Sequence, residues 1–253
     1  MTENPNPNPN TSPYYNLPLL GFDTETTGVD VKNNRVITCN LTYNTLDGNF
    51  TPYDWLLKPT EDIPEEASNV HGITTEYATE HGQDPREGLQ QIHDHLARWE
   101  SYGCPLVAYN AAYDCSILTY EWARHGITSH VRFNRVVDPF VLDKQAAPYR
   151  KGGRKLTRLA EIYGVDLGDA AHAADADVKA VLEIARLMPH AFDKKKLDLD
   201  MPLDRLHAHQ VIWKHQQAAS LQEYFRSKEE DKSKRDSIIV NGEWPVIYGE
   251  TGN

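Results

Sequence analysis

Short apolar segments, each bounded by polar or turn-forming residues, recur through the first half of the sequence and favour strands over buried helices. An Asp-Gly turn between the second and third segments indicates a hairpin. We predict strands at 19–22, 35–43, 50–57, 105–109 and 133–137. Apolar residues spaced three or four apart predict helices at 88–99, 112–124, 156–163 and 173–187, the last ended by Met188-Pro189. The order predicts an α/β fold: a mixed β-sheet, built from a three-strand meander plus β-α units, flanked by helices.

Composition changes twice along the chain and suggests three parts. Residues 1–17 are rich in Asn and Pro and predict a disordered N-terminal tail. Residues 18–189 carry the strand and helix pattern and form the predicted catalytic domain. Residues 190–253 form a C-terminal extension, in which an amphipathic helix is expected at about 203–226. A mobile charged stretch at 228–236 is expected to follow it, and then an extended end at 238–248, which contains Trp244-Pro245 and is expected to dock as a strand.

Three cysteines without close spacing form neither a disulfide framework nor a zinc motif, and this indicates a reducing compartment. No run of about 18 apolar residues exists, so no membrane association is expected. The first residues resemble no secretory signal. We therefore expect a soluble, cytoplasmic protein.

The charge balance, 26 basic against 37 acidic residues for a net charge of −11, argues against a long nucleic-acid track. The segment 144–158 nevertheless holds six basic residues and no acid, and Arg154 and Lys155 lie within it. These two are candidate contacts to the phosphates of a nucleic acid. A solvated loop is an equally good interpretation of this segment.

Asp23 and Glu25 directly follow the first apolar segment, and side chains two apart on a strand share one face. Neighbouring carboxylates repel unless a cation lies between them, and oxygen ligands favour Mg²⁺ or Mn²⁺. Gly28 would let the next loop approach a ligand closely. An acidic surface turn is the more common origin of this pattern taken alone.

Two later fragments add carboxylates at similar positions. Asp114 is expected in the first turn of a helix, where an acid is also favoured simply by the helix dipole. His172 stands just ahead of the helix that carries Asp177, although a single His is usually a surface residue. Each fragment alone is weak.

Taken together, Asp23-x-Glu25, Asn110-x-x-x-Asp114 and His172-x(4)-Asp177 resemble the DEDDh family of 3′→5′ exonucleases, across residues 17–189. The segment His71-Gly72-Ile73-Thr74 is similar to one in the epsilon-type proofreading branch. The C-terminal part resembles the tail of standalone exonucleases from actinobacteria and their phages.

The resemblance implies a ribonuclease H-like fold and two divalent metal ions, Mg²⁺ or Mn²⁺, held by Asp23, Glu25, Asp114 and Asp177. It implies that His172 is the general base. Thr26, Gly28, His71 and Asn110 would contact the terminal nucleotide or its phosphate. Asp138 would be a supporting or structural acid. Tyr109 stands where many members have His.

The first functional hypothesis is therefore a metal-dependent 3′→5′ exonuclease acting on single-stranded or frayed DNA 3′ ends and releasing nucleoside 5′-monophosphates. An RNA-directed exonuclease is the alternative, since no motif announces which sugar is preferred. A nucleic-acid-binding protein without activity is a third. The C-terminal helix is expected to pack on the catalytic domain, with a DNA polymerase or another replication protein as the alternative partner.

Overall fold

The computed structural model describes residues 8–167 and 174–249. Its centre is a five-stranded sheet in the order β3-β2-β1-β4-β5. The first three strands are antiparallel neighbours, whereas β4 and β5 run parallel to β1. The strands are β1 Leu19–Thr26, β2 Val36–Asn44, β3 Phe50–Leu56, β4 Leu106–Val107 and β5 Val136–Val137. The predicted meander followed by β-α units is confirmed.

Helices cover both faces of the sheet. They are α1 Glu65–His71, α2 Thr75–His81, α3 Pro85–Ser101, α4 Ala112–Arg124, α5 Pro139–Ala146, α6 Leu156–Tyr163, α7 Ala174–Ala191, α8 Leu203–Lys228 and α9 Lys232–Arg235. Apolar side chains of α3 and α4 pack against one face of the sheet. Those of α5, α6, α7 and the start of α8 pack against the other. The sheet is thus buried between two helical layers, as expected for an α/β domain.

Strand β1 is longer than the sequence predicted. It continues past Phe22 to Thr26, because β2 pairs with it residue by residue as far as Glu25, opposite Thr38. A register shift between Glu25 and Thr26 then ends the regular ladder. The acidic pair therefore lies within a hydrogen-bonded strand, which holds its backbone more firmly than a turn would.

Two predictions about chain boundaries were wrong, and one contact explains both. The segment 1–17 was predicted to be disordered, yet within its described part, residues 8–17, Tyr14 is fully buried and Leu17 nearly so. Helix α7 was predicted to end at Met188-Pro189, yet it continues to Ala191 with Pro189 inside it. Proline has no N–H to give the carbonyl four residues earlier, and here the Tyr14 hydroxyl donates to that Ala185 carbonyl at 2.7 Å. The N-terminal segment thus supplies the hydrogen bond that the helix lacks.

The C-terminal extension packs on the domain through the predicted helix. Leu203, Leu206 and Gln210 of α8 are buried. Gln210 accepts from the Asp138 amide and donates to the Val136 carbonyl, each at 2.8 Å, so it pairs with β5 at the edge of the sheet. The stretch predicted to be mobile contains α9, whose first turn is capped by Asp231.

Four of the described helices were not predicted, namely α1, α2, α5 and α9. The first two are seven residues each and bury a single residue between them, Ala78, so they carry no apolar periodicity. Among the described helices, none combines the length and the apolar character needed to cross a membrane.

Candidate active site

The first two carboxylates lie side by side on the central strand. Asp23 and Glu25 are both half-buried on one face of β1, while Thr24 and Thr26 between and beyond them are buried. The period of two in the strand puts both carboxylates on the same side, as predicted. Because β1 is flanked by β2 and β4, the pair sits at the middle of the sheet.

Asp114 reaches the same strand from helix α4. It is 3% exposed and lies in the first turn of the helix. Its Oδ1 accepts from the Thr24 amide at 3.1 Å and from the Thr24 hydroxyl at 2.6 Å. Thr24 is the residue between Asp23 and Glu25, so these two bonds bring Asp114 to the acidic pair.

Asp177 is carried to the site by α7, which crosses β1 very closely at Gly21. A methyl group added at Gly21 would collide with Val178 and would lie 2.7 Å from Leu182 Cδ1. Only glycine permits this approach. Val178 directly follows Asp177, so the lack of a side chain at Gly21 helps set how near Asp177 comes to Asp23.

The site is strongly acidic, and its carboxyl groups resist ionisation. Burial and the charges of Asp114, Glu25 and Asp177 raise the pKa of Asp23 well above its usual value. Burial and then Asp177 raise the pKa of Glu25 to about 7. Burial raises the pKa of Asp114 to about 7, although the hydrogen bonds from Thr24 oppose the shift. Two effects therefore oppose the ionisation of these carboxyl groups: their burial, and the repulsion between their negative charges.

Such a donor set fits hard divalent cations, since a cation would relieve the repulsion and all four groups offer oxygen. Within residues 8–167 and 174–249, no three His, Cys, Asp or Glu side chains are already grouped closely enough to enclose an ion. The fit thus rests on the chemistry and electrostatics of these residues. The assignment of the four carboxylates as metal ligands stays a prediction.

A cleft of about 440 Å³ opens beside Glu25 and contains three of the predicted nucleotide contacts, Thr26, Gly28 and His71. The Thr26 hydroxyl donates to the Gly28 carbonyl at 2.9 Å and also contacts the Tyr113 hydroxyl. His71 Nδ1 accepts from the Ile73 amide at 3.2 Å, while its Nε2 is buried with no hydrogen-bond partner among the described residues. The cleft therefore joins the carboxylates to a set of polar groups.

Tyr113 is a residue of this cleft to which the sequence assigned no role. Its hydroxyl donates to the Gly28 carbonyl at 2.5 Å, and this bond closes the loop after β1 onto helix α4. Its position immediately before Asp114 is the one signal that could have marked it. A half-buried tyrosine beside a predicted metal ligand is well placed to position a substrate.

Asn110 and Asp138 organise the turn between β4 and α4. Asn110 is exposed and has a left-handed backbone with φ 59°, a conformation that Asn tolerates better than most residues. The Asn110 and Ala111 amides donate to the two carboxylate oxygens of Asp138, each at 3.0 Å. Asp138 is completely buried, and Trp244 also donates to it. This agrees with the supporting role expected for Asp138.

The two predicted phosphate contacts of the basic segment, Arg154 and Lys155, lie in different environments. Arg154 donates to the buried Asp143 at 3.1 Å, together with Arg150, and also donates to the Ala147 carbonyl. These bonds engage Arg154 with the protein itself, and its contact to a substrate phosphate stays a prediction. Lys155 is exposed ahead of α6, and its role stays a prediction. His172 lies outside the described residues.

A protein-family model matches most of the chain, including the candidate site. The exonuclease family model RNase_T matches residues 20–185, which include the two acids of β1, Asp114 and Asp177. The chain belongs to the exonuclease family. Its predicted membership in the DEDDh-type 3′→5′ exonucleases, with a ribonuclease H-like fold, is confirmed. Divalent metal ions are typical of this exonuclease family.

The individual proteins and structures that resemble this exonuclease do so at low sequence identity. The chain is 28% identical over 173 residues to the DNA polymerase III subunit epsilon of Treponema pallidum (strain Nichols), covering 67% of this chain and 75% of the relative. A structure of exonuclease I superposes with a TM-score of 0.60 at 20% identity, over 76% of this chain and 43% of that one. The zinc-bound complex of Escherichia coli exonuclease I with single-stranded DNA gives 0.58 at 20% identity, over 69% and 41%. The chain thus spans less than half of these exonuclease I chains, and the likeness supports the fold.

Proposed function

We propose that this exonuclease removes nucleotides from the 3′ end of single-stranded or frayed DNA and releases nucleoside 5′-monophosphates. The observation that carries the proposal is that Asp114 accepts two hydrogen bonds from Thr24, the residue between Asp23 and Glu25, while the charge of Asp177 helps to raise the pKa of both acids of that pair. Two divalent ions, Mg²⁺ or Mn²⁺, would be held by these carboxylates. When bound, such ions activate a water molecule and stabilise the attacking and leaving oxygens of a phosphodiester.

The cleft beside Glu25 would bind the terminal nucleotide. Val29 and Val70 on its lining are largely exposed and offer apolar surface to a base. The hydroxyls of Thr26 and Tyr113 offer polar contacts to the sugar and phosphate, and the half-buried His71 ring lines the same cleft. Asn110, exposed on the turn before α4, stays a candidate contact to the phosphate.

DNA is the proposed substrate because the relatives point to it. The curated relative is a DNA polymerase III subunit, and the exonuclease I neighbour holds single-stranded DNA. A net charge of −11 favours binding of a few nucleotides at a frayed end over binding along a long duplex. RNA is not favoured, and His172 as the general base stays a prediction.

The cellular setting follows from the same relatives and is part of the proposal. Work in the cytoplasm, in replication, proofreading or repair, would suit such an enzyme. A DNA polymerase is the partner class to test for the C-terminal extension.

The test is shortening of a 5′-labelled single-stranded 20-nucleotide DNA with Mg²⁺ or Mn²⁺, resolved on a gel. We expect a ladder that shrinks from the 3′ end, and Asp23→Asn should reduce the rate at least 10³-fold because it removes one charge from the site. Glu80→Gln, an exposed acid on α2, is the matched control and should keep the wild-type rate. A matched RNA should react more slowly. Absence of shortening of both nucleic acids with either metal would refute the proposal.

A further inference from the structure

We propose that a second groove, between α5, the loop 147–155 and α8, binds the single strand upstream of the terminal nucleotide. This rests on the proposed function, since it adds a second binding site for the same substrate. The groove has a volume of about 390 Å³, and its lining includes Lys144, Tyr149, Gln217, Leu221 and Tyr224. Most of it is built by α8, which lies outside the part of the chain that matches the exonuclease family.

One face of α8 is turned toward this groove. Lys214, Gln217, Leu221 and Tyr224 are spaced three or four residues apart and so share a side of the helix. Gln217 Nε2 donates to the Val141 carbonyl of α5 at 3.1 Å, which fixes the two helices at this point. The walls of the groove are therefore braced against each other.

Lys144 lines the groove, and Lys214 of α8 approaches the same Phe140 ring as Lys144 does. The ammonium groups of Lys144 and Lys214 lie 5.9 and 5.5 Å from the centre of the Phe140 ring. Within the part of the chain that the structure describes, neither forms an ion pair with an acid. Burial and the charges of Lys214 and Arg154 lower the pKa of Lys144. Two adjacent cations on an otherwise acidic protein make a favourable place for phosphates.

Aromatic rings border the same groove. Tyr149 is 95% exposed and Tyr224 is 56% exposed. Cations that follow a phosphate backbone, together with exposed rings on which bases stack, characterise sites for single-stranded nucleic acid. This combination favours a DNA strand over an acidic peptide, which would not need the rings.

The groove is also close enough to the carboxylate site to share one strand with it. The ring of Phe140 packs edge-on against Tyr109 at 5.8 Å between centroids, and Tyr109 directly precedes Asn110. The Tyr109 hydroxyl donates to the Arg154 carbonyl at 2.5 Å, so the basic loop is attached beside the same turn. Lys144 is one helical turn from Phe140, about 6 Å along α5. A strand that leaves the carboxylate site past the turn at Asn110 would meet these lysines next.

The test compares a long and a minimal substrate. The variant Lys144→Gln/Lys214→Gln keeps most of each apolar stem and removes both charges. We expect its KM for dT20 to rise about tenfold with kcat unchanged, while both constants for the p-nitrophenyl ester of thymidine 5′-monophosphate stay at wild-type values. Tyr149→Ala should also weaken dT20 binding about tenfold. Lys232→Gln/Lys234→Gln, two exposed lysines of α9, is the charge-matched control.

Binding without turnover separates this inference from the proposed function. In EDTA, the affinity for labelled dT20 is measured by fluorescence anisotropy at several salt concentrations. The slope of log affinity against log salt should become less negative by about 1.4 in the Lys144/Lys214 variant and stay unchanged in the control. Binding that depends on these lysines without any cleavage would support the groove and refute the nuclease proposal. Equal effects of the two lysine pairs, or equal KM changes on both substrates, would overturn the groove even in an active enzyme.

Discussion

The indole Nε1 of Trp244 donates a hydrogen bond to Oδ2 of the buried Asp138, 3.2 Å away and 106 positions earlier in the chain. The same carboxylate accepts from the Asn110 and Ala111 amides, and these begin the helix that carries Asp114. The C-terminal segment thus holds the turn that positions a predicted metal ligand. This contact links a part of the chain outside the family match to the centre of the site.

Replacing Trp244 by Phe should lower both stability and activity. The change keeps an aromatic ring but removes the N–H, so a buried carboxylate loses one of its donors, at a cost of about 1–2 kcal/mol of unfolding free energy. Urea denaturation measures this. Trp99→Phe is the control, because the Trp99 indole N–H is buried without a partner among the described residues. Equal losses in the two variants would show that the hydrogen bond to Asp138 does not matter.

Gly21→Ala tests the close crossing of α7 over β1. The added methyl group has no room beside Val178 and Leu182, so α7 must shift and carry Asp177 away from Asp23. We expect a loss of about 1–3 kcal/mol in stability and of about 10²-fold in the nuclease rate. Gly153→Ala is the matched control, since nothing lies within 4 Å of its added methyl group. A Gly21→Ala enzyme with a normal rate would disprove the dependence on this crossing.

Arg154→Ala should act on stability rather than on substrate binding. Arg154 and Arg150 share the fully buried Asp143, and removing one leaves that charge less compensated, which should cost about 2 kcal/mol in thermal or urea unfolding. Lys155→Ala, its exposed neighbour, should change stability by less than about 0.5 kcal/mol. A stable Arg154→Ala protein with a raised KM would instead support Arg154 as a substrate contact.

His207 should make the fold acid-sensitive. Burial lowers its pKa from 6.5 to about 4, and its Nδ1 accepts from the Val136 amide at 3.2 Å. As the pH falls, His207 is protonated near pH 6.5 in the unfolded chain but only near pH 4 in the folded chain. The contribution of neutral His207 to the free energy of unfolding is therefore complete at pH 7. It decreases as the pH falls from 6.5 to about 4, by up to about 3 kcal/mol. Asn can replace the acceptor without titrating, so the difference in unfolding free energy between wild type and His207→Asn should change over this range.

The control for that measurement is His190→Asn, an exposed residue near the end of α7. Its pH dependence of unfolding should follow the wild type. If His207→Asn follows the wild type as well, the buried imidazole does not control acid sensitivity.

Local patterns predicted most of the sheet and much of the site. The bounds of α4, Ala112–Arg124, follow from its apolar periodicity, and the shared face of Asp23 and Glu25 follows from the period of two in a strand. Helices α1, α2 and α9 were missed because short segments with at most one buried residue carry no such period. Helix α5 was missed although half of it is buried, because its eight residues span only about two helical turns.

Contacts between distant parts of the chain were out of reach of these patterns. The burial of Tyr14 depends on an α7 carbonyl that Pro189 leaves without its usual donor. The basic segment seemed free of acids only because Asp143 stands one position before it. Such pairings depend on tertiary geometry, which neither composition nor spacing encodes.

The most direct test is calorimetric titration of Mn²⁺ into the protein in the presence of thymidine 5′-monophosphate. If carboxylates from β1, α4 and α7 form one divalent-metal site, the wild type should bind two ions. Asp114→Asn should then lose one of them or bind at least tenfold more weakly, whereas Glu80→Gln should match the wild type. A wild type that binds no Mn²⁺, or an Asp114→Asn variant that binds as the wild type does, would contradict the account.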